Sequence, residues 1–264
     1  MIFKAGFIGI GNMGGALCKA VCNAINGANT AVFDLSEDRI KEFEKKLGTA
    51  YFDSARDLAK SCRYVFLGVK PDIIKGVAEG IKEAIHEDTV IVTMAAGISI
   101  DTLSPILGTH KIIRIMPNTP ASVGQGMILY CKDADVTEEE EKDFLEMMGK
   151  CGVVMPIGEN KIDAAAAISG CGPAYVYMFI EALADGGVKC GLPRSAALLL
   201  AKQTVLGSAA MTLAAEEHPE GLKDNVCSPG GTTIEGVLTL ERSAFRATVA
   251  DAVISAYEKT AKLK

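Results

Sequence analysis

Five short apolar runs, at residues 3–8, 30–33, 64–69, 89–94 and 111–116, alternate with stretches of helical character at 12–26, 36–47, 54–60, 71–85 and 99–107. The runs are rich in Val, Ile and Phe, and their near-continuous apolarity suits strands buried on both faces. Strands that alternate with helices at this spacing predict a mainly parallel sheet with right-handed crossovers. Pro71 is placed for the first turn of a helix directly after the third run.

The pattern changes near Met127. Residues 126–131 and 153–157 read as strands flanking a helix at 137–148, whose acidic run 138–141 is expected to be a solvated helix N-terminus complementing the dipole. From Glu159 on the chain is almost wholly helical, with segments at 164–168, 175–185, 194–217, 234–240 and 244–263. They are rich in Ala, Leu and Gly and apolar over more than one face, so part of their surface is expected to be buried against a partner. The expected division is an α/β domain at 1–158 and a helical domain at 159–264.

With 49% apolar and 23% charged residues, the chain can bury a sizeable core and is not expected to be disordered. Its net charge of −6 argues against a nucleic-acid partner. The eight cysteines include no C-x-x-C pair and none has a histidine partner nearby in sequence, so no metal site is expected and the thiols read as reduced. Cys18 and Cys22 share a helix face as small core residues. Residues 196–215 form the longest apolar segment, but Lys202, Gln203, Thr204, Ser208 and Thr212 make it a poor bilayer span. No signal peptide is read at the N-terminus, and a cytoplasmic protein without a membrane partner is expected.

Gly9-Ile10-Gly11-Asn12-Met13-Gly14 follows the first strand, which ends at Ile8, and opens the first helix. In that place the first glycine permits a tight turn, the second lets backbone approach a pyrophosphate, and the third allows close helix–strand packing. Asp34 ends the next strand, 20 residues past Gly14, where an acid can bind the adenosine ribose and would repel the 2′-phosphate of NADP. Ser36 and Arg39 lie just beyond and could receive that phosphate, so NADH and NADPH both stay open. Val69-Lys70-Pro71-Asp72, Ala95-Ala96-Gly97 and Met116-Pro117-Asn118-Thr119-Pro120 also fall at strand C-termini, where ligands of doubly wound sheets bind; the last reads equally as a structural turn.

A second unusual run, Asp224-Asn225-Val226-Cys227-Ser228-Pro229-Gly230-Gly231-Thr232-Thr233, precedes a helix starting near Thr232. Its fixed proline, two glycines and three hydroxyls suit either a small carboxylate or phosphate, or merely a well-capped helix start.

Together with Ser169-Gly170-Cys171-Gly172-Pro173-Ala174-Tyr175 and residues 184–194, these segments resemble the pyrroline-5-carboxylate reductase family along essentially the whole chain. The resemblance implies a Rossmann domain followed by a helical domain of the 6-phosphogluconate-dehydrogenase type. It implies a homodimer with interlocked helical domains, with a pentamer of dimers as a larger assembly. The implied reaction is NAD(P)H-dependent reduction of the C=N bond of Δ1-pyrroline-5-carboxylate to L-proline.

By the same resemblance Ile8 to Met13, Asp34, Ser36, Val69, Lys70, Pro71, Ala95, Ala96, Gly97 and Asn225 hold the cofactor. Glu159, Ser228, Gly231, Thr232 and Thr233 hold the substrate, and the catalytic roles fall to Thr233 and Lys70. Thr233 is assigned to the ring nitrogen, and Lys70 is paired with Glu216. The sequence departs from the family at Ala55, where many relatives carry an adenosine-binding asparagine, at Met94, where the family has cysteine, and at Asp34, unusual where NADPH is favoured. A related imine reductase or a 3-hydroxyacid dehydrogenase of the same architecture is the alternative; a nucleotide-sensing regulator fits less well, because the substrate loop is present.

Overall fold

The computed structural model describes residues 2–262. It divides into two compact units, one formed by the chain up to Cys171 with the stretch from Tyr257 onward, the other by Gly172–Ala256. The first unit is built on eight strands: β1 (Phe3–Ile8), β2 (Thr30–Phe33), β3 (Ala50–Tyr51), β4 (Cys62–Leu67), β5 (Val90–Thr93), β6 (Ile112–Met116), β7 (Gly126–Lys132) and β8 (Gly152–Pro156). Their order across one sheet is β3-β2-β1-β4-β5-β6-β7-β8.

From β3 to β6 every neighbour is parallel, as the alternation predicts, but β7 pairs antiparallel with β6, and β8 is parallel to β7. The reversal has a local cause. Residues 117–125 contain only a 3-10 turn (Thr119–Val123), too little chain for a crossover helix, so the strand must return beside β6 in the opposite sense. The strand order reverses between β1 and β4, which opens a crevice outside their C-terminal ends.

The sheet is covered by α1 (Asn12–Ile25), α2 (Glu37–Leu47), α3 (Ala55–Ser61), α4 (Ile74–Ile81), α5 (Ile100–Leu107), α6 (Glu138–Met148) and α7 (Glu159–Ser169). Alternate residues of the central strands feed two cores. Phe7, Phe66, Val92 and Ile115 pack with Leu17 and Val21 of α1 and Phe144 of α6. Ile8, Leu67, Ile91 and Ile112 pack with Leu58, Ile74, Leu103 and Ile162. The Phe7 and Phe66 rings stack at 4.4 Å. Each fully buried side chain of this size contributes about 1.5–3 kcal/mol relative to exposure.

Three expectations need correction. Pro71 does not enter α4: the Ile73 amide closes a turn onto the Lys70 carbonyl at 3.2 Å, and the helix begins at Ile74. The acidic run of α6 is not simply solvated. Glu140 is 4% exposed and binds Arg63 at 2.7 Å and Lys111 at 2.9 Å, while completing a capping box with Thr137. Glu141 accepts from the Tyr130 hydroxyl at 2.8 Å. Finally, α7 begins at Glu159, earlier than its alanine run indicates, and belongs by its contacts to the sheet unit.

The second unit holds α8 (Gly172–Lys189), α9 (Arg194–Ala214), α10 (Pro219–Val226), α11 (Thr232–Arg242) and most of α12 (Phe245–Ala261). Leu263, the last residue of the helix expected at 244–263, lies outside the described residues. The helices α8 and α9 meet through small side chains, with Ala184, Ala197 and Ala201 buried beside Ile180, Val188 and Leu198. A side chain at Gly187 would come within 3.2 Å of the Ala197 Cβ. Around this small core, Met178, Leu199, Leu206 and Leu213 are exposed. The stretches Glu159–Lys189 and Arg194–Ala214 are long and apolar enough to span a bilayer by length and composition alone.

Candidate active site

At the crevice, three glycines bring β1, β4 and α1 together. Gly9 has φ +91°, and its carbonyl lies 2.2 Å from where a Cβ on Gly14 would stand and 2.3 Å from one on Gly68. Gly11 is different. Only Arg39 Nη1, at 3.9 Å, approaches its would-be Cβ, so the space above it is open. It caps α1 without any side-chain bond, and the first-turn amides of Asn12 and Met13 are left without intrahelical acceptors. Bare amides at an open, positive helix end form an anion cradle.

A cavity of about 710 Å³ opens over this loop. It is lined by Ile8, Gly9, Gly11, Asp34, Ser36, Val69 and Lys70 among the residues assigned to the cofactor, and also by Arg39. Ile10, Asn12, Met13, Pro71 and the Ala95–Gly97 loop are not in its lining, and Asn225 lies in the second unit. The sequence reading missed Gly68 and Leu35, which do line it. Leu35 carried a signal, being a lone apolar residue between Asp34 and Ser36; it is 91% exposed here.

Asp34 is more engaged than its position in the sequence implies. Its Oδ2 accepts from the Ile10 amide at 2.8 Å and its Oδ1 from the Ser36 amide at 2.9 Å, with Arg39 Nη1 3.8 Å away. The carboxylate therefore holds the glycine loop and the β2–α2 connection in shape, while still facing the cavity. Ala55 opens α3 behind a Ser54 side-chain cap.

In the second unit the Ser-Pro-Gly-Gly run folds as a tight turn. Gly231 N–H donates to the Ser228 carbonyl at 3.0 Å, Pro229 takes the second position, and Gly230 takes the third with φ +68°. Proline then a left-handed glycine is the sequence of a type II turn. The helix α11 starts at Thr232, as expected, with no side chain capping it. The expected grip needs one change: the Gly231 amide closes the turn, so the amides left for an anion are those of Thr232 and Thr233. The Ser228 hydroxyl lies over Gly231, within 2.4 Å of its would-be Cβ, and Thr233 is half-buried.

Other assigned residues are placed differently from expectation. Asn225 sits in α10, not in the loop, and donates to Glu217 Oε2 at 3.2 Å. Glu216 follows the end of α9 at Ala214 and is exposed, and Lys70 falls in the other unit. Glu159 points its Oε1 at Arg114 Nη1, 2.9 Å away, and at the Ile100 amide, also 2.9 Å. Three of the buried thiols are poor nucleophiles: burial pushes Cys62 and Cys151 up to about 12 and Cys131 to about 11.

Two family models match the chain: pyrroline-5-carboxylate reductase dimerisation over residues 159–263, and NADP oxidoreductase coenzyme F420-dependent over residues 4–97. Over 263 residues the chain is 42% identical to the pyrroline-5-carboxylate reductase of Escherichia coli strain K12, covering 98% of both chains. The chain belongs to the pyrroline-5-carboxylate reductase family. Among solved structures, the pyrroline carboxylate reductase of Plasmodium falciparum with NADP bound superposes with a TM-score of 0.88 at 38% identity, covering 98% of this chain and 97% of that one. The Coxiella burnetii pyrroline-5-carboxylate reductase gives 0.92 at 31% identity, covering 100% and 99%. As a member of this family the chain is an NAD(P)-dependent oxidoreductase, and Gly9, Gly11, Ser36 and Arg39 all line the cavity over the glycine loop.

Proposed function

We propose that this protein reduces Δ1-pyrroline-5-carboxylate to L-proline, the observation that carries the reading being the pairing of an open glycine cradle with the uncapped Ser228–Thr233 loop in one chain of this family. When bound, a reduced nicotinamide would supply the hydride for the imine carbon, the ring nitrogen carrying a proton taken up from water. The protein's own residues bind and orient. The amides of Asn12 and Met13 take the pyrophosphate at the N-terminus of α1. The amides of Thr232 and Thr233, with the Ser228 hydroxyl, take the substrate carboxylate at the N-terminus of α11. The Thr233 hydroxyl donates to or accepts from the ring nitrogen; lacking a useful pKa, it orients or relays a proton rather than acting as a strong acid. Lys70, exposed at the cavity rim, supplies positive charge beside the anionic cofactor.

Both reduced dinucleotides are substrates in this reading. Asp34 receives the ribose diol of NADH, and Ser36 with Arg39 receives the 2′-phosphate of NADPH. Asp34→Ser is therefore expected to raise the NADPH-to-NADH ratio of kcat/KM roughly fivefold, the effect of removing ~1 kcal/mol of repulsion between charges about 4 Å apart in water. An unchanged ratio removes Asp34 from cofactor choice.

The exposed apolar residues of α8 and α9 are covered by a second copy of the chain rather than by lipid, giving a homodimer, with a pentamer of dimers as the larger form. Lys202 and Gln203 in the middle of α9 support protein over lipid as the cover. The free thiols fit a reducing cytoplasm. The deciding assay follows oxidation of NADH and NADPH with Δ1-pyrroline-5-carboxylate. Folded protein without turnover on either cofactor overturns the assignment.

A further inference from the structure

Among the described residues Arg114 is the largest fully buried side chain, and it lies in the middle of β6. Its Nη1 donates to Glu159 Oε1 at 2.9 Å and its Nη2 to Asp163 Oδ1 at 3.4 Å, while its Nε finds no acceptor. A guanidinium 2% exposed and aimed by two carboxylates of one helix is costly to bury and fixes geometry in return. Glu159 and Asp163 lie four residues apart on α7, so both face the same strand.

The same Glu159 oxygen accepts the Ile100 amide at the start of α5. Two residues, Ile98 and the Ser99 cap, separate that helix from Ala95-Ala96-Gly97, where Gly97 has φ +75°. The register carries this loop to the ligand end of the sheet: Ile8 pairs with Leu67, Leu67 with Thr93, and Thr93 with Arg114. At its far end α7 is held again, because Asn118 Nδ2 donates to the Ser169 carbonyl at 2.8 Å and Asn118 Oδ1 accepts from the Met127 amide at 2.9 Å. Glu159 lines a separate cavity with Tyr130, Lys132 and Glu141, not the cavity over the glycine loop.

We propose that Arg114 is a positioning residue for the reduction: it grips Glu159 and Asp163, and through Glu159 it fixes the N-terminus of α5 and the Ala95-Ala96-Gly97 loop, which stands outside the cavity lining but at the same C-terminal end of the sheet, where a dinucleotide running across the strands would meet it. Glu159 thereby acts on the cofactor side rather than as a ligand of the substrate, whose carboxylate it would repel. The proposal rests on the dinucleotide reading of the glycine-loop cavity.

The test separates cofactor affinity from substrate use in Arg114→Met, Arg114→Lys and Glu159→Gln. NADPH and NADH binding is titrated by fluorescence without substrate, and the substrate KM is measured at saturating cofactor. Arg114→Met is expected to weaken dinucleotide binding about tenfold with substrate KM changed less than about twofold. Arg114→Lys is expected to recover part of the loss, since it keeps the charge but not the fork. Should Arg114→Met fail to fold, Glu159→Gln, similar in size and still able to accept from Ile100, reads the same split more weakly.

A raised substrate KM with unchanged cofactor affinity in Glu159→Gln returns Glu159 to the substrate and overturns the proposal, as does unchanged behaviour in all three variants. Exchange of the Ile100 amide decides the latch independently. Protection in the wild type that is lost in Arg114→Met supports it, and unaltered protection overturns it. A wild type that binds neither dinucleotide instead defeats the proposed function.

Discussion

Gly14→Ala is expected to destabilise the protein by about 3 kcal/mol and to leave little dinucleotide binding, whereas Gly11→Ala is expected to keep the wild-type Tm and lose affinity alone. The difference lies in what each methyl meets. At Gly14 it would stand 2.2 Å from the Gly9 carbonyl oxygen and 3.4 Å from Gly68 Cα, all backbone at the junction of β1, β4 and α1. Backbone there cannot yield without moving Gly9, whose carbonyl also faces Gly68, and Gly9 is already at φ +91°. At Gly11 the methyl meets only the end of the Arg39 side chain at 3.9 Å. The free protein accommodates it, but in the proposed function it takes up part of the open space through which the pyrophosphate reaches the α1 amides.

Loss of one charge-assisted amide contact there is worth ~1.5–3 kcal/mol, so affinity should fall about tenfold or more. Thermal denaturation and cofactor titration of the two variants check the pair. Equal Tm losses, or full affinity in Gly11→Ala, would mean the loop does not divide its glycines between packing and binding.

What was legible in the sequence follows the periodicities that carry physical information. Strands β1, β2, β4, β5 and β6 stand out because each is buried on both faces, so that Phe7 and Ile8 feed opposite cores. The antiparallel return of β7 was not legible, because strand direction depends on the length of the 117–125 connection and not on apolar pattern. Two-residue β3 is too short to show any period. Within the site, the glycine loop and the turn at Ser228–Gly231 could be read because glycine at positive φ and proline restrict the backbone itself.

Side-chain partners could not be read. That Asp34 takes the Ile10 amide and that Glu159 meets Arg114 are long-range bonds. An arginine amid Ile112, Ile113 and Ile115 breaks an otherwise apolar strand, and a buried cation requires acids. That was the one signal for the latch, though nothing in the spacing named Glu159 and Asp163 as the acids.

Thr233→Val is expected to lower kcat about 100-fold while dinucleotide affinity stays within about twofold of wild type. Valine keeps the volume and the β-branch, and Thr233 is the second residue of α11, where its amide remains available to an anion. Only the hydroxyl is lost. If that hydroxyl serves the ring nitrogen, its contribution grows as the nitrogen gains its proton and the imine carbon accepts hydride, so the loss falls on turnover more than on binding. Thr232→Val provides the contrast. Thr232 is exposed and contributes through its amide, so its variant should keep near-wild-type kcat. Single-turnover reduction with cofactor in excess measures the chemical step free of product release. Equal rates for wild type and Thr233→Val in that experiment would take the hydroxyl out of the chemistry and leave α11 as a carboxylate site alone.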